Sequence, residues 1–132
     1  MSTNAVVHFE MPYEDAKRVT DFYKNALGWN MQLMPGEEMG NYITAQTTDT
    51  DENNMVTRPG AINGGFFQKK PTMPAQVPSV VISVQDIKQA MESIKKAGGS
   101  VLGDPVEIPG IGTYVSFTDT EGNRVSLLQA HR

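Results

Sequence analysis

The chain contains no cysteine. That absence excludes a disulfide framework, a thiolate metal site and a thiol nucleophile, and it fits a reducing compartment. Long apolar runs are missing as well, none approaching the roughly 20 residues that cross a bilayer. The N-terminal stretch "MSTNAVVHF" has neither the basic nor the apolar region of a signal peptide. These absences lead us to expect a soluble, cytoplasmic protein with no membrane partner. Positive charge is scarce: 11 Lys and Arg stand against 15 Asp and Glu, giving a net charge of -4 and a pI near 5.1. Affinity for phosphate backbones comes mainly from clustered Lys and Arg, so nucleic acid is not an expected partner. The basic pairs Lys69-Lys70 and Lys95-Lys96 read as solubilising loop charge and as cations near a helix C-terminus.

What is present begins with size. A chain of 132 residues, 39% of them hydrophobic, fits one domain able to bury a core without disulfides or a structural metal. That domain repeats itself. "GNYITAQTTDT" at 40–50 and "GTYVSFTDT" at 112–120 share Gly, a polar residue, Tyr, a β-branched residue and Thr or Ser in register, at an offset of 72. "DAKRVTDFYKNALG" from Asp15 and "DIKQAMESIKKAGG" from Asp86 are both helical in pattern and lie 71 apart. In the first helix Val19, Phe22, Tyr23 and Ala26 form one apolar stripe, and in the second Ile87, Ala90, Met91, Ile94 and Ala97 do so. Asp86 followed by Gln89 resembles a capping box, and Gly28 and Gly98-Gly99 supply stop signals.

Short runs with strand character lie at 5–11, 29–34, 41–47 and 61–68, then at 79–84, 100–107, 112–118 and 124–129. Each half therefore reads βαβββ, with a first module at 1–68, a linker at 69–78 and a second module at 79–132. The segments "MPGEEMG", "IPGIG" and "DTEGN" carry turn chemistry, while the three prolines of "KKPTMPAQVP" suit a connection between the halves. The polar stretch "DTDENNMVTRPG" reads as the most mobile loop. "TDTEGN" has acidic residues, but its spacing is that of a turn and not of a calcium loop.

On "VVHFEMPYEDAKRVTDFYKNALGW", "AINGGFF", "VVISVQDIKQAMESIKKAGG" and "GTYVSFTDTEGNRVSLLQ", the chain resembles the vicinal-oxygen-chelate superfamily of glyoxalase I, bleomycin- and fosfomycin-resistance proteins and extradiol dioxygenases. The resemblance covers nearly the whole chain. It implies an α+β fold of two βαβββ modules whose curved mixed sheet forms a cleft, and a homodimer. In metal-using members four side chains, from the first and last strand of each module, converge on a divalent ion. Carried over position by position, His8 fills the first slot. Ser79 stands in the matching position of the second module, seven residues before Asp86 as His8 is seven before Asp15. Ser126 occupies the closing slot of "GNRVSLLQ", and its counterpart in "AINGGFF" falls at Gly64 or Gly65. Serine hydroxyls are poor ligands for a divalent cation and glycine offers only its carbonyl, so no metal site on the family plan is expected.

Strand alternation puts Val6, His8 and Glu10 on one face and Val7, Phe9 and Met11 on the other, beneath the helix. By the resemblance, His8 and Glu10 then point into the cleft. A buried carboxylate needs a donor, water or a proton, and His8, Arg124 or a ligand could supply the donor to Glu10. The pair carries three readings: a hydrogen-bonded polar pair with no chemistry, a small-molecule binding surface, and a metal or general-base role. His131, the other histidine, is expected to be exposed near the C-terminus and is not counted as a ligand. Trp29 is assigned to core or interface packing ahead of a ligand platform, Tyr42 and Tyr114 to a shared structural job, and Asn63-Gly64-Gly65 to close backbone approach across the modules or room in the cleft.

The favoured function is binding of a small organic molecule by His8, Glu10, Ser79 and Ser126, with no cofactor. The rival is a metal-dependent lyase, isomerase or dioxygenase of glyoxalase type. In it His8 and Glu10 bind Zn, Ni, Fe or Mn and water or a partner subunit supplies the rest. A third reading is an antibiotic-sequestering protein.

Overall fold

Two aspartates start the helices. Asp15 is extended at the N-cap of α1 (Ala16–Leu27) and its carboxylate accepts from the Arg18 N–H at 2.9 Å; Asp86 does the same for Gln89 at 3.0 Å ahead of α2 (Ile87–Lys96). The stop signals also work as read. Gly28 adopts a left-handed φ of 71° and returns its N–H to the Lys24 carbonyl, an αL cap. After α2, Gly98 at φ 102° and Gly99 send their N–H groups to Lys95 and Ile94, the two bonds of a Schellman motif. Lys95 and Lys96 lie in the last turn of α2, where the dipole favours them.

The computed structural model describes residues 3–34, 41–73 and 75–131. The turn expected at 34–40 lies outside them except for Met34. In chain order the strands are β1 (Val6–Tyr13), β2 (Asn30–Leu33), β3 (Ile43–Gln46), β4 (Asn63–Gln68), β5 (Ser79–Ser83), β6 (Ser100–Ile108), β7 (Gly112–Thr118) and β8 (Arg124–Ala130). All eight fall within a few residues of their sequence assignments, and the class is mixed α+β.

In the first module β1 runs parallel to β4, which pairs antiparallel with β3, and β3 with β2. The second module copies this: β5 is parallel to β8, then β7 and β6 follow antiparallel. The pairing of β1 with β4 begins at His8, while the described residues before it group with 79–131, Ala5 accepting from the Ser83 N–H at 2.9 Å. The opening residues thus belong with the second compact unit, and the first is 8–78, a boundary that strand periodicity does not mark.

Each helix covers one face of its own sheet. In the first module Tyr13, Ile43, Ala45 and Phe66 are buried beneath Phe9, Met11, Ala16, Val19, Tyr23, Trp29 and Met31. Trp29 stacks on Tyr23 with ring centroids 4.7 Å apart and packs at a tilt on Phe9, so its packing role is realised. The expected α1 stripe is narrower than the sequence suggested. Ala16, Val19 and Tyr23 face inward, whereas Phe22 is 59% exposed and touches Tyr23 edge-on, because successive helical residues are turned about 100° apart. In the second module Val84, Ile87, Val115 and Leu127 form the core, with Ile82, Ala90, Met91, Ile94, Val101 and Phe117 against it.

Two loops hold more order than composition implies. In 49–60 the Asp51 carboxylate accepts from the Asn53 and Met55 N–H groups, and a Thr50–Val56 bridge closes the loop on itself. The turn after β7 is organised by Asp119, which accepts from Glu121 and Asn123; the Asn123 amide and backbone bonds hold its carboxyl below the usual range. His131 is tied down as well, with Nε2 2.9 Å from a Glu107 carboxylate oxygen and its N–H on the Ile111 carbonyl.

Candidate ligand-binding site

The face of each sheet opposite its helix carries the polar residues singled out from the sequence. In the first module Phe9 and Met11 enter the core, so period-two alternation turns His8 and Glu10 to the other side. Glu10 is 6% exposed. Between them stands Tyr42, one residue ahead of β3. Its hydroxyl donates to Glu10 Oε2 at 3.2 Å and lies 3.4 Å from His8 Nε2. The structure therefore unites His8 and Glu10 through a phenol, a group whose sequence pattern implied only an unspecified structural job. Burial pushes the His8 imidazole below its ordinary value of 6.5, which keeps it neutral at pH 7.

Gly64 and Gly65 are explained inside their own module. In β4 they pair with Phe9 and Glu10, and a Cβ on Gly64 would overlap the Phe9 ring, while one on Gly65 would overlap the Tyr42 hydroxyl and ring. An aromatic side chain thus covers each glycine of the strand. Asn63 acts separately from the two glycines. Its side-chain oxygen accepts from the Thr47 and Thr48 N–H groups at 2.7 and 3.1 Å, fixing the chain where β3 ends.

The second module has the same frame with different groups. Its register sets Val81 opposite Ser126 as the first sets Glu10 opposite Gly65, and Ser116 opposite Ser126 as Thr44 is opposite Gly65. Ser79 and Val81 thus stand where His8 and Glu10 do, and Tyr114 where Tyr42 does. Ser126, only 1% exposed, shares hydrogen bonds with the Tyr114 hydroxyl at 2.6 Å and with Ser116 Oγ at 3.0 Å. Buried Arg124 donates to Ser116 Oγ at 3.3 Å. Ser79 begins β5 half-buried. Ser116 was not singled out from the sequence, although alternation in "GTYVSFT" already placed it on the face of Tyr114.

The donors that a divalent ion would need are thinly spread. The Gly65 slot is filled by a phenol, Ser126 is engaged with two hydroxyls, and among the described residues no group of three or more His, Cys, Asp or Glu side chains gathers within reach of one ion. Also among the described residues, no helix is long and apolar enough to cross a membrane.

This repeated βαβββ frame is one that known proteins share. The family model described as the Glyoxalase/Bleomycin resistance protein/Dioxygenase superfamily matches residues 5–127. The chain belongs to that superfamily. A glyoxylase-like domain-containing protein of Didymella fabae is 29% identical over 117 residues, covering 86% of this chain and 84% of its own. Among solved structures, a Streptomyces coelicolor methylmalonyl-CoA epimerase variant in complex with 2-nitronate-propionyl-CoA aligns at a TM-score of 0.72 and 16% identity over 99% of this chain and 100% of its own. The methylmalonyl-CoA epimerase of Mycobacterium tuberculosis aligns at 0.66 and 12% over 100% and 93%. At such identities these structures establish the glyoxalase-like fold of this superfamily member.

Proposed function

We propose that this superfamily member binds a small organic molecule through the polar sheet faces, with His8 and Glu10 supplying recognition in the first module and Ser79 and Ser126 in the second, and without a resident metal. The observation that carries this reading is the use of the would-be ligand positions: the Gly65 slot holds the Tyr42 phenol, and the Ser126 hydroxyl is bonded to Tyr114 and Ser116. Small-molecule sites combine apolar walls with a few polar groups, and the polar sheet face of each module offers such groups. The neutral imidazole of His8 suits hydrogen bonding to such a molecule. Cytoplasmic location and a homodimeric assembly complete the proposal, the first supported by the lack of cysteine and the second by superfamily membership.

The test is metal analysis of protein purified without chelator, combined with thermal-shift screening. Substoichiometric Zn, Ni, Fe and Mn together with a raised melting temperature for selected organic compounds is the expected outcome, since binding to the folded state alone stabilises it. One divalent ion per chain, lost in a His8→Ala variant, would overturn the reading in favour of a metal-dependent lyase, isomerase or dioxygenase. A response confined to drugs would narrow it to sequestration. Light scattering checks the dimer.

A further inference from the structure

We propose that Tyr42 is the positioning residue of the first module's site: its hydroxyl takes the slot that Gly65 leaves open and holds the His8 ring in the tautomer with its proton on Nε2. The argument is proton counting. A phenol has one proton to give, and an ionised Glu10 can only accept, so with that carboxylate charged the Tyr42 hydroxyl, 3.2 Å from its Oε2, directs the proton there. Toward His8 Nε2, 3.4 Å away, the same oxygen can then only accept. His8 must therefore donate from Nε2, and the lone pair of the ring is left on Nδ1 for whatever approaches from elsewhere.

Gly65 makes the arrangement possible. The Tyr42 hydroxyl and ring occupy the space of a Gly65 side chain, and Gly65 is the β1 partner of Glu10, so the phenol crosses β4 to reach the carboxylate. The second module supplies the control. There the equivalent strand position carries Ser126, whose Oγ lies 2.6 Å from the Tyr114 hydroxyl. With Val81 at the position of Glu10 and Ser79 at that of His8, this module has no imidazole at the equivalent position.

The consequence for binding rests on the function proposed above, but the tautomer is tested without any ligand, so either can fail while the other stands. Long-range 1H–15N correlation spectra of the uniformly labelled chain at about pH 8, where a histidine is neutral, report which ring nitrogen bears the proton. The His131→Gln variant identifies the His8 signals, because the chain has two histidines. His8 is expected as the Nε2–H form, and Tyr42→Phe, which removes only the hydroxyl, should lower the ratio of Nε2–H to Nδ1–H forms about fivefold or more, the factor one hydrogen bond supports. A wild-type ring protonated on Nδ1, or an unchanged ratio in a folded Tyr42→Phe, overturns the proposal. Gly65→Ala tests the slot. A shifted ratio or an unfolded chain upholds the filled slot, and a folded variant with the wild-type ratio overturns it.

Discussion

Tyr42 and Tyr114 hold the same place in two copies of one module, yet one hydroxyl bridges to a carboxylate and an imidazole while the other is absorbed by serines. The residue that separates the two outcomes is on the neighbouring strand: glycine at 65, serine at 126. The cores differ in parallel. The first is largely aromatic, built on Tyr13 and Phe66 with Phe9, Tyr23 and Trp29, and the second is largely aliphatic, built on Val84, Ile87, Val115 and Leu127. A repeated backbone thus constrains where side chains point and leaves free what they are. Rings on the core face and on the polar face of the first module also cover the two glycines of β4, so those rings and those glycines form one solution.

The largest test of this contrast compares the cores. Phe66→Ala should cost about 3–5 kcal/mol and Leu127→Ala about 2–5 kcal/mol, both measured by urea denaturation, since each leaves a cavity in a fully packed cluster. A much smaller loss for Phe66 would mean that the aromatic cluster can collapse around the void. An exchange of the strand residues comes next. Gly65→Ser sets a side chain against the Tyr42 phenol and should destabilise by about 1–3 kcal/mol, while Ser126→Gly takes away the hydroxyl that Tyr114 and Ser116 share and should cost about 1–3 kcal/mol. If Gly65→Ser were neutral, the difference between the modules would not lie in this pair of positions.

The smallest effect is the pH dependence that His8 brings to the first module. Because burial lowers the His8 value below 6.5, the ring is neutral in both folded and unfolded chains well above that pH and contributes no slope there. As pH falls through 6.5 the unfolded chain takes up the proton first, stability drops, and the loss levels off below the folded-state value. His8→Gln should flatten that part of the stability profile, whereas His131→Gln should leave the His8 contribution in place.

Much of the fold was legible because its signals are local. Asp15 and Asp86 cap, Gly28 and Gly98 stop, and alternation in "VVHFEMP" separates Phe9 and Met11 from His8 and Glu10, all through contacts within a few residues. The site was legible only in outline. His8 and Glu10 were visible as a pair on one face, but the phenol that joins them comes from a residue 32 positions beyond Glu10, and its reach depends on a glycine on a third strand. The α1 stripe shows the same limit, since spacing alone admitted Phe22 and the width of the helix seam left it exposed.

By itself the sequence determined the repeat, the two helices with their ends, the eight strands and the face on which each polar residue sits, because caps, turns and side-chain periods act over short stretches of chain. Tertiary structure alone decided that Tyr42 lies across Gly65 to meet Glu10 and His8 and that Ser126 captures Tyr114. Strand register and ring packing bring together residues distant in the chain, and no local pattern encodes which of them will share a hydrogen bond.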